Sequence, residues 1–259
     1  MERSFPLSGI RVAVTRAATQ ASGLVRALEA LGADVLLAPA IAFVAPSDPA
    51  PLAAAREALS AQSYSVIVFT STNGVTAWFG DGAAPLPAGT RVAAVGSETR
   101  AALVRHGCAE VFVGESFVAD ALAEALIPTL AATDRTLLVR AEDGRETFPD
   151  ALRKAGRAVD VVAAYRTVPG DGSGLLAEAL RGRALSVVTF TAGSTVRETW
   201  AALDDEGRRE ITSGRVLVAS IGPVTTEAAV ALGIPETSIV TASPHTTEAL
   251  VEAIVASFR

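Results

Sequence analysis

The chain has 259 residues, half of them apolar and 19% charged, which suits two domains with their own cores and excludes long disorder. Its 22 basic and 28 acidic residues leave a net charge of −6 without a basic tract, so nucleic acid is not the expected partner. Every apolar run is broken by Asp, Arg, Glu, Gly or Pro before it reaches about 18 residues, so no membrane-spanning helix is expected.

Met1 to Gly9 leads straight into the first strand with no charged n-region, apolar h-region or cleavage site, which predicts a cytoplasmic protein. Ile10 to Thr15 reads as a strand. Ala21, Leu24, Val25, Leu28 and Leu31 then share one helical face, and Gly32 ends that helix. Asp34 to Leu37 reads as a second strand, with Phe43-Val44 extended before the Pro46 to Pro51 stretch. Leu52 to Leu59 reads as a helix and Ser65 to Thr70 as a buried strand. A loop over Gly80 to Pro87 follows, then a strand over Val92 to Val95 and a helix from Thr99 to His106. The same alternation to the C-terminus, with continuously apolar strands, predicts parallel sheets covered on both faces. Pro169-Gly-Asp-Gly-Ser-Gly174 reads as a linker, and a second crossing falls near Pro39 to Ala42, so the domains need not be the two halves of the chain. Cys108, the one cysteine, reads as a buried thiol. His106 and His245 lie far apart with no acidic cluster at ligand spacing, and no metal site is expected.

The chain repeats itself. Val66-Ile-Val-Phe-Thr-Ser-Thr-Asn-Gly-Val75 returns 121 residues later as Val187-Val-Thr-Phe-Thr-Ala-Gly-Ser-Thr-Val196. Val95-Gly96, Thr99, Ala102 and Gly107 return 126 residues later as Ile221-Gly222, Thr225, Ala228 and Gly233. Val14-Thr-Arg16 with Gly32 matches Leu138-Val-Arg140 with Gly156 at an offset of 124. An offset near 125 means two copies of one α/β unit, and a ligand that both copies touch is expected between them.

Ligands of open parallel sheets bind beyond the carboxyl ends of the strands, where all of these motifs lie. Ser71, Thr72 and Asn73 in one copy and Ala192, Gly193 and Ser194 in the other supply small side chains and open backbone N–H groups; the same residues serve equally as ordinary helix caps. Gly96-Ser97-Glu-Thr99 and Gly222-Pro223-Val-Thr225 each pass from strand to glycine to helix start, a setting that holds carboxylate or phosphate without a lysine. Neither is a Walker A loop or a Gly-x-Gly-x-x-Gly turn, which disfavours nucleotide chemistry. Arg16 and Arg140 follow equivalent strands and Arg145 lies close by. They read either as surface charges or as a clamp for a polyanion. Tyr165 reads by itself as core packing with a bonded hydroxyl. With no Gly-x-Ser-x-Gly elbow, a reaction needing little acid or base power fits best.

Taken together, Val12-Ala-Val-Thr-Arg16, Phe69-Thr-Ser71, Gly74-Val75, Val95-Gly-x-x-Thr99, Leu138-Val-Arg140, Gly144-Arg145, Tyr165-Arg-Thr-Val168, Phe190-Thr191, Ile221-Gly-Pro-x-Thr225 and Ser243-Pro244 with Leu250 closely resemble the uroporphyrinogen-III synthase family. The similarity runs from about Gly9 to Ile254. It implies an α/β protein of two flavodoxin-like parallel-sheet domains on a two-stranded linker. Residues 1–38 with 169–259 would form one domain and 42–166 the other, with linkers near 39–41 and 166–169. The implied reaction is the cyclisation of hydroxymethylbilane to uroporphyrinogen III in the inter-domain cleft, with loss of water and inversion of ring D through a spiro intermediate. This is a lyase step of haem biosynthesis, without metal or organic cofactor, on a small polycarboxylate substrate, by a monomer that binds neither membrane nor nucleic acid. By the resemblance Tyr165 is the catalytic candidate. Thr99 and Thr225 match the family's helix-start threonines, and Ser71, Gly96, Gly193 and Gly222 its ligand-facing turns. Where some relatives carry basic residues, this chain has Thr72 and Asn73. The competing reading is a non-catalytic, two-lobed anion-binding or regulatory protein of the same fold.

Overall fold

Short β-branched runs flanked by glycine and proline become strands, and alanine- and leucine-rich stretches become the helices that cover them. The computed structural model describes residues 5–80, 86–114 and 119–259. In chain order the elements are β1 (Arg11–Val14), α1 (Ala18–Glu29), β2 (Asp34–Leu37), β3 (Ile41–Val44), α2 (Ala50–Ser60), β4 (Val66–Phe69), α3 (Thr72–Phe79) and β5 (Arg91–Ala94). Next come α4 (Ser97–Arg105), β6 (Phe112–Val113), α5 (Ala119–Leu126), β7 (Arg135–Ala141), α6 (Thr147–Lys154), β8 (Ala158–Pro169), α7 (Ser173–Arg181) and β9 (Val187–Phe190). The last are α8 (Gly193–Ala202), α9 (Asp205–Thr212), β10 (Leu217–Ser220), α10 (Pro223–Val230), β11 (Ile239–Thr241) and α11 (Thr247–Ala256). Among the described residues no helix is long and apolar enough to cross a membrane.

The chain divides into two compact units, Met1–Ala42 with Val168–Arg259, and Phe43–Thr167. The first holds a sheet in the order β11-β10-β9-β1-β2. Renumbered within the unit this is 2-1-3-4-5, the flavodoxin winding. The second holds β3-β8-β7-β4-β5-β6. Counted from β7, the five strands other than β3 follow the same 2-1-3-4-5 order. Strands run parallel from β2 to β11 in the first sheet, and from β8 to β6 in the second.

These sheets do not coincide with the sequence repeat. β1 and β2 belong to the first copy, yet they complete a sheet whose other strands, β9, β10 and β11, come from the second. β7 and β8 return the exchange to β4, β5 and β6. The first sheet therefore mixes two strands of one copy with three of the other, and the second two with four, β3 being the extra edge strand.

Side chains alternate between two cores in each unit, as the pleat requires. Ala13, Val188, Phe190 and Val218 face one side of the first sheet, while Val12, Val14, Val187 and Ala219 face the other. In the second sheet Ile67, Phe69, Leu137 and Val139 oppose Val66, Val68 and Leu138. Thr15 and Thr189 are wholly enclosed but satisfied: Thr15 donates to the Thr189 carbonyl at 2.7 Å and Thr189 to the Ala13 carbonyl at 3.1 Å. This pair bolts β1 to β9, a join between the two sequence copies.

Several sequence expectations change. Strand and helix do not alternate throughout, because β2 passes directly to β3 and α8 directly to α9. Helix α4 begins at Ser97 rather than Thr99. Residues 81–85 of the Gly80 to Pro87 loop lie outside the described residues. Cys108 is partly exposed rather than buried, and its contact with the α3/α4 core raises its thiol pKa by desolvation. The stretch from Pro169 to Gly174 is no loose tether. Gly170 N–H donates to Ala40 at 2.9 Å and Gly172 N–H to Pro39 at 3.1 Å. A Cβ on Gly170 would stand 2.1 Å from the Pro39 oxygen, and one on Gly172 2.2 Å from the Ala38 carbonyl carbon. Two backbones cross here at a separation that only glycine permits.

Candidate active site

In the second unit the carboxyl ends of β4 and β7, with the stretch of β8 paired to the end of β7, bring Ser71, Arg140 and Tyr165 into one neighbourhood. Tyr165 reaches it through a bulge. β8 pairs with β7 as Val139↔Val162 and Arg140↔Ala163, then skips to Ala141↔Tyr165, leaving Ala164 as the extra residue. Strict alternation from Val161 would place Tyr165 on the α5/α6 side; the bulge puts it against the core beneath α3 and α4 instead. There its ring meets Phe43 edge-on at 5.6 Å, and its hydroxyl stands 2.9 Å from Ser71 Oγ. Glu142 N–H donates to the Tyr165 carbonyl at 2.8 Å.

Ser71 is the N-cap of α3, and its Oγ accepts the Gly74 N–H at 3.1 Å. Thr72 and Asn73 form the first turn above it, both partly exposed.

The loop after β7 is braced by Arg140, which is nine-tenths enclosed. Its guanidinium donates to the Gly144 carbonyl at 2.7 Å, to the Arg145 carbonyl at 2.5 Å and to the Glu146 carboxylate. These donors turn inward, because the glycine at 144 lets the loop fold over the Arg140 side chain. The Arg140 hydrogen bond holds the Glu146 carboxyl below the usual carboxylate range, with Arg153 adding to it. Glu142 is lowered in the same sense, chiefly by the Ser47 N–H on its Oε2 at 2.8 Å. Arg145 is exposed, and its side chain forms no hydrogen bond or ion pair among the described residues.

α4 opens at Gly96, whose φ of 87° is left-handed and favours glycine. Ser97 is exposed, while Thr99 is only 4% exposed, so its side chain packs beneath the helix start.

The first unit repeats the plan with different chemistry. Ala192 stands where the other copy has Ser71, and it caps α8 without a side-chain bond. Gly193 and Ser194 form the first turn, both partly exposed. Gly222 caps α10 in extended backbone, and here the reason for glycine is space: a Cβ would lie 3.1 Å from the His245 ring. Pro223 is exposed and Thr225 is 4% exposed, like Thr99. The bonded hydroxyl of this turn belongs to Thr226, 2.8 Å from Ser220 Oγ. Arg16, partly buried after β1, donates to Gln20 at 3.5 Å.

Two residues beside these turns escaped the sequence reading. Arg197 lies one helical turn beyond Gly193, and its guanidinium sits 3.2 Å from where a Gly193 Cβ would stand. His245 covers Gly222. The i,i+4 spacing of Gly193 and Arg197 was a legible signal for the first; nothing in the sequence linked His245 to a glycine 23 residues earlier.

The fold and these turns define a two-unit, doubly wound α/β protein whose strand-end loops offer helix N-termini, arginines and one bonded phenol. The uroporphyrinogen-III synthase HemD family model matches residues 22–252. A uroporphyrinogen-III synthase of Synechococcus elongatus is 33% identical over 233 residues, 85% of each chain. A putative uroporphyrinogen-III synthase of Methanothermobacter thermautotrophicus is 28% identical over 223 residues, covering 83% of this chain and 86% of that one. The solved structure of a mutant uroporphyrinogen III synthase from Thermus thermophilus superimposes with a TM-score of 0.63, at 22% identity, over 96% of this chain and 98% of that one, and shares its fold. The chain belongs to the uroporphyrinogen-III synthase family.

Proposed function

We propose that this chain closes hydroxymethylbilane into uroporphyrinogen III with loss of water and inversion of ring D. Family membership supports the reaction class, and the observation that carries the chemistry is the Tyr165 hydroxyl held 2.9 Å from Ser71 by a bulged strand. An electron-rich pyrrole expels hydroxide readily, so the protein needs to hold one conformation and lend one proton. Tyr165 gives that proton to the departing hydroxyl, which leaves as water. The substrate carries eight carboxylates, and a chain of net charge −6 holds them through local donors. The turns at Ser71, Thr72, Asn73, Gly96 and Ser97, those at Ala192, Gly193, Ser194, Gly222 and Pro223, and the guanidinium groups of Arg16, Arg145 and Arg197 are assigned this task. Arg140, Thr99 and Thr225 support the turns from beneath.

We place the protein in the cytoplasm as a monomer acting on a small molecule, with domains over residues 1–38 with 169–259 and over 42–166. The test is to supply hydroxymethylbilane, oxidise the products and measure isomers. An excess of type III over the spontaneous type I isomer is expected. Type I alone, with substrate still bound, would favour a non-catalytic anion-binding protein.

A further inference from the structure

The Ser71 hydroxyl faces two groups at once. Gly74 N–H donates to it at 3.1 Å, and the Tyr165 oxygen lies 2.9 Å away. A hydroxyl has one hydrogen and two lone pairs, so after accepting from Gly74 it keeps one of each for Tyr165. If Tyr165 donates to Ser71, the phenol hydrogen is spent inside the protein. If Ser71 donates to Tyr165, the phenol hydrogen is available to a ligand.

The sequence copies show what this pair is not needed for. At the repeat offsets, Ser71 corresponds to Ala192 and Tyr165 to Ile41. In the first unit Ala192 caps α8 without a side-chain bond and Ile41 is buried. The helix after such a strand therefore forms without the Ser71 hydroxyl. Each sequence copy carries one polar and one apolar residue at these positions, and the strand exchange brings the two polar ones together in the second unit, which a capping role alone does not explain, since a cap requires no phenol.

We propose that Ser71 is the positioning residue for Tyr165: its Oγ, anchored by Gly74 N–H at the positive end of α3, donates its hydrogen to the phenol oxygen and turns the phenol hydrogen toward the leaving hydroxyl of the substrate. This inference rests on the synthase reading above. In the step, the phenol O–H bond breaks and its proton joins the leaving oxygen. The C–O bond breaks with its electron pair on that oxygen, and water departs. The phenolate is held by the Ser71 hydrogen bond and the α3 N-terminus. The proton shed by the pyrrole carbon that closes the ring restores the phenol.

The test uses Ser71→Gly, which keeps most of the cap, and Ser71→Ala, the residue of the other copy. The chain has only two tyrosines, Tyr64 and Tyr165, so ¹³Cζ-labelled tyrosine gives two NMR signals. In both variants the Tyr165 signal is expected to move while that of Tyr64 stays. Turnover is expected to fall about five- to tenfold at unchanged KM, the worth of one neutral hydrogen bond. In a Tyr165→Phe background, adding Ser71→Gly is expected to change kcat no further. An unmoved Tyr165 signal, a loss confined to KM, or losses that multiply in the double variant would each overturn the proposal. Absence of type III product from the wild-type protein would instead sink the synthase reading, and the NMR measurement would still decide whether Ser71 holds Tyr165.

Discussion

Tyr165 and Ser71 are 94 residues apart in sequence, and their hydroxyl oxygens stand 2.9 Å apart. The contact exists because Ala164 is bulged out of the β7–β8 register, which carries Tyr165 from one face of the sheet to the other. Tyr165→Phe keeps the ring against Phe43 and removes only the hydroxyl. Turnover is expected to drop about tenfold to a hundredfold with the product still type III. A wild-type rate in this variant would take Tyr165 out of the reaction.

Gly170 and Gly172 answer to backbone crowding rather than flexibility. Alanine at either would force its Cβ to within 2.1 to 2.2 Å of the Pro39 oxygen or the Ala38 carbonyl carbon. Each substitution is expected to cost about 1–3 kcal/mol or more, read as a lower denaturation midpoint at unchanged slope. Gly174, where an added Cβ meets nothing within 4 Å, is the control: alanine there is expected to be near neutral.

Acid should loosen the Arg140 loop. The folded-state pKa of Glu146 lies below its ordinary value, so its contribution is complete above the unfolded carboxylate range near pH 4.3 and is lost as the pH falls through the lowered folded value. Glu142, Asp204 and Glu210 shift the same way, each held mainly by a hydrogen bond, from Ser47, Gly207 and Arg215 respectively. Thermal melts are expected to be steady at neutral pH and to fall below about pH 4. Glu146→Gln should flatten part of that fall, and an unchanged acid slope would remove Glu146 from it.

Arg16, Arg145 and Arg197 lie beside the strand-end turns of their own units. Replacing Arg145 by Ala is expected to raise KM about tenfold with little change in kcat, the pattern of a carboxylate partner lost equally from ground and transition states. The same variant should show a weaker dependence of KM on salt, since one screened attraction is gone. Arg140→Lys should act differently, lowering stability, because an ammonium cannot serve Gly144, Arg145 and Glu146 in one plane.

Much of the local structure was legible. The apolar runs at Val66 to Phe69 and Val187 to Phe190 become fully buried strands, and Ser71 caps the helix that follows. Burial direction was not. Thr99 and Thr225 follow glycine turns and read as ligand contacts, but the first helical turn points them inward. Arg140 read as the twin of Arg16, yet the loop carrying Gly144 and Glu146 has closed over it. The contact of His245 with Gly222 depends on how loops pack, which no spacing rule supplies, whereas Arg197 follows Gly193 at i,i+4 on α8.

Two copies of a strand–helix pattern, the element types and the strand-end positions of the small and hydroxyl-bearing residues follow from the order of residues alone, because periodicity and turn chemistry act over a few positions. Which copy's strands would pair was decided only in three dimensions. Parallel ladders form through backbone groups that are alike in both copies, so the choice fell to connection. After Leu37 the chain runs straight into β3 without a helix to carry it back across β1. β3 therefore begins a new sheet, in which β4 pairs with β7 and β8 lies between β7 and β3, leaving β1 and β2 to be completed by β9, β10 and β11. That exchange, with the bulge at Ala164, is what brings Tyr165 to Ser71.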